Sequence, residues 1–336
     1  MTLTTHELSI GYKRKGNPIS VAAGINLSLN RGKLTALLGR NGSGKSTLIR
    51  TLAGLLKPVA GSVMLEERDI REWDSPALSR KMAVVLQEQL RNPNLTVYEL
   101  VALGRTPYTN WLGTLSKEDN DLVLESIRKA GIPELSGRNT HLLSDGERQK
   151  AMFARALAQE TPLILLDEPT AHLDILSRIE LIRILRQTAH TESKSVLFST
   201  HDLELALQMS DQVWLFDGRG ALLTGAPEDL VLKGHISRLY SQPGEWGFDV
   251  ATGEIVAPAP SPLKKAVWLS GEGSEYFWTR KALIRTGYTI AGREGADCSV
   301  GIEQNGESFR WLVRKNDTVQ TAGDIAGMLA CLEAPG

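Results

Sequence analysis

Cysteine is scarce in this chain of 336 residues, which contains only Cys298 and Cys331. The two cysteines are far apart and do not follow a metal-ligand spacing, which argues against a disulfide framework and fits a reducing compartment. An excess of charge of one sign is also missing, because 38 basic and 39 acidic residues give a formal net charge of −1. This balance predicts no general affinity for nucleic acid or for an anionic lipid surface.

Long hydrophobic runs are missing as well. Leu163–Leu166 is one of the longer runs in the chain, whereas a membrane-spanning helix needs about 20 apolar residues. The N-terminal residues have no basic stretch followed by an apolar stretch, so we expect no signal peptide. If the protein serves a membrane process, we expect other chains to supply the membrane spans.

Up to about residue 250 the sequence alternates β-rich runs with helical stretches. Apolar runs predict buried strands at residues 33–38, 82–86, 163–166 and 195–199. Apolar residues at helical intervals predict helices at residues 46–56, 151–159 and 175–189. Strands that alternate with helices in this way predict an α/β fold with a mainly parallel, three-layer sheet.

After residue 250 the composition changes. Closely spaced prolines predict a linker at residues 251–262, and a small α/β accessory module is predicted beyond it, at residues 263–336. The predicted strands of the module cover residues 266–269, 288–291, 299–303 and 308–314, and its predicted helices cover residues 274–286 and 322–332.

Two sequence features of the predicted module concern its core and a possible ligand. Trp268, Trp278 and Trp311 are most simply explained as core residues of a small domain. A glycine-rich turn at residues 271–274 has the composition of a phosphate-binding turn, but one such turn alone is weak evidence for a ligand.

A phosphate-binding loop is predicted directly after the strand at residues 33–38. The loop reads G-x-x-x-x-G-K-S-T and lies between a predicted strand and a predicted helix, as the mechanism requires. Its glycines let backbone N–H groups approach phosphate oxygens, and the helix N-terminus favours the same anion. Lys45 is expected to face the β- and γ-phosphates of ATP, and Ser46 to bind Mg²⁺. The nucleotide-binding residues predicted here are Gly39, Asn41, Gly42, Ser43, Gly44, Lys45, Ser46 and Thr47.

A pair of carboxylates follows the apolar strand at residues 163–166. Asp167 is predicted to bind Mg²⁺, and Glu168 is predicted to polarise the attacking water. Taken alone, the pair is equally well explained as the acidic start of a helix. Together with the phosphate loop it indicates a nucleotide phosphatase or kinase, without deciding which.

A third motif narrows the class of nucleotide hydrolase. The segment Leu143-Ser144-Asp145-Gly146-Glu147 precedes an alanine-rich helix and resembles the signature motif of the ABC ATPases. The resemblance implies that Ser144 and Gly146 cap the ATP held by a second copy of the chain, in a homodimer. The family usually has glycine where this chain has Asp145, and we expect the Asp145 side chain to turn outward.

The remaining markers of the ABC family follow in the family's order. The resemblance implies that Gln87 meets Mg²⁺ or the attacking water and that His201 contacts the γ-phosphate, so both are predicted to act with Lys45 and Glu168 in catalysis. It also implies that Asp174 crosses to the other subunit and that Tyr12 stacks on adenine. Because the resemblance covers roughly residues 2–250, it implies an ABC ATPase domain at residues 1–250, with a helical subdomain at about residues 88–160.

The spacing of the motifs favours a transport subunit. Only about a hundred residues separate Lys45 from Ser144, which leaves no room for the long coiled coils of ABC proteins with DNA-repair or chromosome roles. A single phosphate loop argues against the two-cassette translation factors, and the lack of apolar runs argues against fused exporters.

The stretch of residues 96–108 resembles the ATPases of bacterial importers for iron–siderophore complexes, haem and cobalamin. This resemblance implies a peripheral subunit at the cytoplasmic face of the inner membrane that powers import through a partner permease. A periplasmic or lipid-anchored substrate-binding protein is implied as an indirect partner. The alternatives are an ABC ATPase of another transporter class and a regulatory protein that dimerises with ATP. For the accessory module, a dimer brace or a stabilising cap is favoured over a regulator.

Overall fold

The computed structural model describes residues 2–14, 17–87, 94–110, 113–241, 247–256, 265–305, 308–316 and 318–334. The chain divides into two compact units, Met1–Leu239 with Asp249–Glu254 and Tyr240–Phe248 with Ile255–Gly336. The second half of the predicted linker, residues 257–262, lies outside the described residues. Within the described residues, no helix combines the length and the apolar character that a membrane span requires.

Among the described residues, the strands of the first unit form two sheets. In chain order they are β1 (Leu3–Arg14), β2 (Asn17–Ile25), β3 (Ser28–Leu29), β4 (Lys33–Leu38), β5 (Ala60–Leu65), β6 (Arg68–Asp69), β7 (Met82–Val85), β8 (Leu163–Leu166), β9 (Ser195–Ser199), β10 (Gln212–Phe216) and β11 (Leu222–Gly225). One sheet is antiparallel, in the order β2-β1-β5-β6 with β3 beside β1. The other has the order β11-β10-β4-β9-β8-β7 and is parallel except for β11.

The helices of the first unit begin at polar caps in several places. They are α1 (Lys45–Leu52), α2 (Ser75–Ser79), α3 (Val97–Ala102), α4 (Lys117–Lys129), α5 (Asp145–Ala158), α6 (Ile175–Thr191), α7 (Leu203–Met209), α8 (Pro227–Leu232) and α9 (His235–Tyr240). Thr96, Ser116 and Ser144 each form a capping box at the start of α3, α4 and α5. These three helices pack against one another and lie within residues 88–160, where the helical subdomain is predicted.

One core cluster of the first unit joins its two sheets. Leu3, Leu8 and Val63 from the antiparallel sheet are buried in one cluster with Leu165 and Trp214 from the parallel sheet. Helix α1 contributes further buried residues to the same cluster, so its first turn is held at the carboxyl end of β4. Burial of such apolar side chains is the main favourable term in folding, at roughly 25 cal/mol for each Å² removed from water.

The prediction of an α/β fold with a mainly parallel sheet is confirmed, and the structure differs from it in the bounds of helices and in a second, antiparallel sheet. The helix predicted at residues 46–56 ends at Leu52, because Gly54 takes a left-handed backbone (φ 72°) that ends a helix. The helix predicted from residue 151 begins at Asp145, since Ser144 caps it. The antiparallel sheet was not predicted; its central pairing, β1 with β5, joins segments about fifty residues apart in the sequence.

The described part of the second unit contains a five-stranded sheet and the helices α10 and α11. Its elements are β12 (Gly247–Phe248), β13 (Ile255–Val256), β14 (Ala266–Ser270), α10 (Gly273–Arg285), β15 (Thr289–Ile290), β16 (Cys298–Asn305), β17 (Ser308–Lys315), β18 (Thr318–Ala322) and α11 (Ile325–Glu333). The sheet has the order β15-β14-β16-β17-β18, and β12 pairs separately with β13. Leu283 of α10 and Met328 of α11 pack with Val267, Val300 and Val313 in the core.

The structure corrects the assignment of the module's tryptophans. Trp311 is buried and its indole N–H donates to Thr279 Oγ1 at 2.7 Å. Trp278 is 58% exposed on α10, and Trp268 is half-buried beneath the Arg293 guanidinium, so neither is a buried core residue. In an amphipathic helix the buried positions recur every three or four residues, and Trp278 falls next to the buried Thr279 rather than on that face.

Two other predictions for the module also change. The helix predicted from residue 322 begins at Ile325, because residues 318–322 form the edge strand β18, which was not predicted. The glycine-rich turn at residues 271–274 has a packing explanation, since a Cβ on Gly271 (φ 137°) would lie 3.0 Å from Ile302 Cβ.

Candidate nucleotide site

The predicted phosphate loop lies between β4 and α1 with a backbone that requires glycine. Gly42 and Gly44 have φ angles of 78° and 106°, a region that other residues rarely adopt. A Cβ on Gly44 would lie 2.5 Å from Val21 Cγ1, and one on Gly39 would lie 2.5 Å from Ser43 Oγ. The sequence therefore folds into a tight loop, in which the backbone at Gly39 and Gly44 packs too closely against Ser43 and Val21 to leave room for a side chain.

Two side chains of this loop suit an anionic ligand. Lys45 is 5% exposed, and its Nζ donates to Gly39 O at 3.1 Å, which uses one of its three N–H donors. Ser43 Oγ is buried and, among the described residues, has no hydrogen-bond partner. A buried polar atom without a partner costs about 1–3 kcal/mol, so this geometry fits a phosphate that would accept from both groups. Asn41 and Gly42 are exposed at the loop tip, and Thr47 is half-buried in the first turn of α1.

Oxygen atoms from three elements meet beside the loop. Ser46 Oγ donates to Asp167 Oδ1 at 3.1 Å, and Ser199 Oγ donates to the same oxygen at 2.8 Å. Asp167 is buried at the end of β8, and Ser199 is buried at the end of β9. A hydroxyl and a carboxylate are the ligand types that Mg²⁺ prefers, so Ser46 and Asp167 fit the predicted metal role.

Ser199 is a site residue that sequence reasoning missed. Besides its bond to Asp167, its hydroxyl accepts the Glu168 backbone N–H at 2.8 Å, and so links both carboxylate residues to β9. The available signal was its place at the end of a buried strand, two residues before His201. The parallel pairing of β8 with β9 brings it beside Asp167.

Glu168 is the centre of the remaining polar contacts. Its Oε1 lies 3.6 Å from Lys45 Nζ, its Oε2 accepts from Gln87 Nε2 at 3.4 Å, and the same Oε2 lies 4.0 Å from His201 Nδ1. The side chain is 18% exposed, and the backbone has a φ of 49°, the left-handed region. The structure thus brings the four predicted catalytic residues together: Lys45, Gln87, Glu168 and His201.

The predicted signature residues form a second group. Ser144 Oγ donates to Glu147 Oε2 at 2.9 Å, and the Ser144 backbone N–H, which donates to that carboxylate, holds the pKa of Glu147 below its usual value. Asp174 caps α6, and the Ser177 backbone N–H and hydroxyl lower the pKa of Asp174 in the same way. A Cβ on Gly146 would lie 3.2 Å from Ser177 Oγ, so the two helix starts meet at Ser177.

This second group does not join the first within one chain. Over the described residues, the hydrogen bonds of Ser144 and Asp174 stay at their own helix starts and do not reach Lys45 or Glu168. Tyr12 lies on β1 and is 50% exposed. Ile10, two residues earlier on β1, lies beside the phosphate loop, since a Cβ on Gly44 would lie 3.7 Å from Ile10 Cδ1.

Comparison with known proteins identifies the family. Residues 22–171 match the family model described as "ABC transporter". The chain is 41% identical over 238 residues to the uncharacterised ABC transporter ATP-binding protein MJ0873 of Methanocaldococcus jannaschii, covering 71% of this chain and 81% of that protein. The chain belongs to the ABC transporter ATP-binding family. This confirms the resemblance predicted from the motifs, and it makes the chain an ATPase that binds nucleotide.

Other ABC relatives carry names that refer to import. The chain is 35% identical to the achromobactin transport ATP-binding protein CbrD of Dickeya dadantii, over 71% of this chain and 87% of that protein. It is 34% identical to the cobalamin import ATP-binding protein BtuD of Halobacterium salinarum, over 80% of this chain and 68% of that protein. Residues 264–333 match a second family model, "Iron ABC transporter C-terminal domain".

Solved ABC structures share the fold. A chain from an ABC transporter assigned to the metal-chelate type, in an inward-facing conformation, superimposes with a TM-score of 0.62 at 25% identity, covering 71% of this chain and 88% of that one. The dimeric ATP-binding cassette MJ0796, in a post-hydrolysis state with ADP and Pi, gives a TM-score of 0.59 at 26% identity, covering 67% of this chain and 98% of that one.

Proposed function

We propose that the chain is the ATP-hydrolysing subunit of a metal-chelate importer. In this proposal two copies act as a homodimer at the cytoplasmic face of the inner membrane and power the import of a ferric siderophore, haem or cobalamin through a partner permease. A substrate-binding protein outside that membrane delivers the chelate. The names of the relatives support the substrate class, and the contacts of Glu168 with Lys45, Gln87 and His201 carry the chemistry.

Each residue of the Glu168 cluster has a proposed role in phosphoryl transfer to water. Lys45 balances the charge of the β- and γ-phosphates of ATP, and His201 contacts the γ-phosphate. Ser46, Asp167 and Gln87 would hold Mg²⁺, which when bound would neutralise charge on the phosphate oxygens. Glu168 orients and polarises the attacking water. Such catalysis depends on positioning and charge more than on covalent chemistry.

The partner subunit completes the proposed site. The partner subunit's Ser144 and Gly146 cap the nucleotide bound by the phosphate loop, Asp174 crosses between the copies, and Tyr12 stacks on adenine. Ser144 donates its hydroxyl to Glu147 within one chain. Capping a phosphate therefore exchanges one charge-assisted hydrogen bond, to the Glu147 carboxylate, for another, to the phosphate of the partner's nucleotide.

The domain arrangement belongs to the same proposal. Residues 1–250 form the ABC ATPase domain, residues 251–262 form the linker, and residues 263–336 form an accessory module that acts as a dimer brace or a stabilising cap. The match of residues 264–333 to the iron transporter C-terminal model supports a separate module and agrees with a metal chelate as the cargo.

Reconstitution tests the proposal. The ATPase is purified with its permease, placed in liposomes, and assayed for ATP hydrolysis with haem, cobalamin or a ferric siderophore offered through the binding protein. We expect one chelate class to raise turnover and to accumulate on the far side of the membrane. ATP hydrolysis that no metal chelate raises, with transport of an unrelated solute, would reject the substrate class while leaving the ATPase assignment intact.

A further inference from the structure

Arg105 is an almost fully buried cation outside the nucleotide site. It lies after α3, and 5% of its surface is exposed. Its guanidinium donates three hydrogen bonds, from Nε to Asp119 Oδ1 at 2.8 Å and from Nη1 to Ala158 O at 2.9 Å and to Glu160 Oε2 at 2.8 Å. A planar fork that serves acceptors from two helices at once is a task for arginine that lysine cannot perform.

Tyr108 covers this guanidinium. The centroid of its ring lies 4.1 Å from Arg105 Cζ, and its hydroxyl donates to Gln159 O at 3.0 Å. Burial raises the pKa of Tyr108, so the hydroxyl stays protonated and remains a donor. Arg105 and Tyr108 thus bind three consecutive residues at the end of α5, namely Ala158, Gln159 and Glu160.

The end of α5 is also hydrogen-bonded to the segment that leads into β7. Gln159 Nε2 donates to Met82 O at 3.0 Å and also to Ser79 O, and Arg80 Nε donates to Pro107 O at 2.9 Å. The strand β7 continues toward Gln87 of the nucleotide site. The Gln159 side chain therefore joins the end of α5 to the parallel sheet, while Tyr108 holds the backbone carbonyl of the same residue.

Close packing makes this attachment rigid. A Cβ on Gly104 would lie 2.3 Å from Arg155 O, so the segment before Arg105 lies directly against the backbone of α5. At the other end of the helix, Ser144 caps its first turn. A helix of this length spans about 21 Å at 1.5 Å per residue, so a small change of angle at one end displaces the other by ångströms.

We propose that Arg105 and Tyr108 are positioning residues for ATP hydrolysis. They hold the C-terminal end of α5, which Gln159 joins to β7, and thereby set where Ser144 stands when it meets the nucleotide of the partner subunit. The inference rests on the proposed homodimer, in which Ser144 acts on the other copy. It assigns these two residues a role in dimer closure and turnover, with no direct contact to ATP.

The test uses the full chain carrying Arg105→Lys, which keeps the charge and loses the fork. Melting temperature, ATP affinity of the monomer by equilibrium dialysis, and turnover are measured, and ATP-dependent dimerisation is followed by sedimentation in a Glu168→Gln background. We expect the ATP affinity of the monomer to change by less than about twofold. The affinity between the two copies and the turnover rate should each fall by about tenfold. Arg71→Lys is the matched control, because Arg71 makes an exposed ion pair with Asp69 and should leave all four measurements unchanged.

Tyr108→Phe keeps the test decisive if the Arg105 variant does not fold. It retains the ring over Arg105 and loses only the bond to Gln159. We therefore expect the affinity of the dimer and the turnover rate each to fall about threefold, with the ATP affinity of the monomer unchanged within about twofold. A lower melting temperature with normal dimerisation and turnover would reduce both residues to structural roles and overturn the inference alone. A parent protein that stays monomeric with ATP would overturn the homodimer and this inference together.

Discussion

The two compact units differ in how they treat buried polar groups. In the first unit, Lys45 and Asp167 are buried, and the buried hydroxyl of Ser43, in the same loop as Lys45, lacks a hydrogen-bond partner among the described residues. In the described part of the second unit, the buried polar side chain is that of Thr279, and its hydroxyl accepts the indole N–H of Trp311. Buried polar groups are normally satisfied, so the first pattern indicates a place for a ligand and the second indicates a place for stability.

The largest expected effect in this contrast is the loss of turnover in Glu168→Gln. The amide keeps the shape of the side chain but cannot polarise water, so ATP should still bind while hydrolysis stops. Gel filtration with ATP should show an accumulated dimer. Lys45→Ala is the control, since it removes the charge facing the phosphates and should lose ATP binding itself. Turnover within a few-fold of the parent in Glu168→Gln would place the base elsewhere.

Ser199→Ala should have the next largest effect. It removes the hydroxyl that joins Asp167 to the Glu168 backbone, and we expect kcat to fall by about tenfold, or about 1.4 kcal/mol of barrier, with a smaller change in KM for ATP. Ser195→Ala on the same strand is the matched control, because that buried hydroxyl bonds Thr2 away from the site. If both variants lose stability and neither loses kcat, Ser199 belongs to the fold and not to the site.

Asp145→Gly should have a smaller effect. The side chain is 58% exposed and pairs with Arg148 at 2.7 Å, and such exposed pairs contribute little. We expect ATPase activity to change by less than about tenfold, or ~1.4 kcal/mol. Steady-state assays check this, and a much larger loss would give the acid a function of its own in the signature motif.

Deletion of residues 262–336 should change the chemistry least. Every predicted nucleotide-contacting residue lies between Tyr12 and His201, within the first unit. We expect a folded ATPase with the parent's turnover once dimerised. If the module is a brace, an ATPase titration should show that the truncated dimer forms only at higher protein concentration. Complete inactivity in a folded truncation would contradict both the brace and the cap.

The same contrast explains what could be predicted from the sequence. The phosphate loop was predictable because its chemistry fixes residue types and spacing at once, and Lys45 and Ser46 lie at the start of α1. Ser199 was not, since a serine in a buried strand acquires its partners only through sheet pairing. In the second unit, periodicity predicted most strands and helices. It could not decide the burial of Trp278, because one position on a helix moves a side chain by about 100°.

The backbone of Glu168 has a consequence for how this protein can change over generations. A left-handed φ of 49° is unfavourable for any residue with a Cβ, by roughly 1–2 kcal/mol, and glycine would adopt it freely. Replacement by glycine would relieve this backbone strain, but it would also remove the carboxylate that faces Lys45, Gln87 and His201. The two effects on the free energy of unfolding oppose each other. In the proposed mechanism, the strained backbone at residue 168 is a cost in stability that the lineage carries in exchange for turnover.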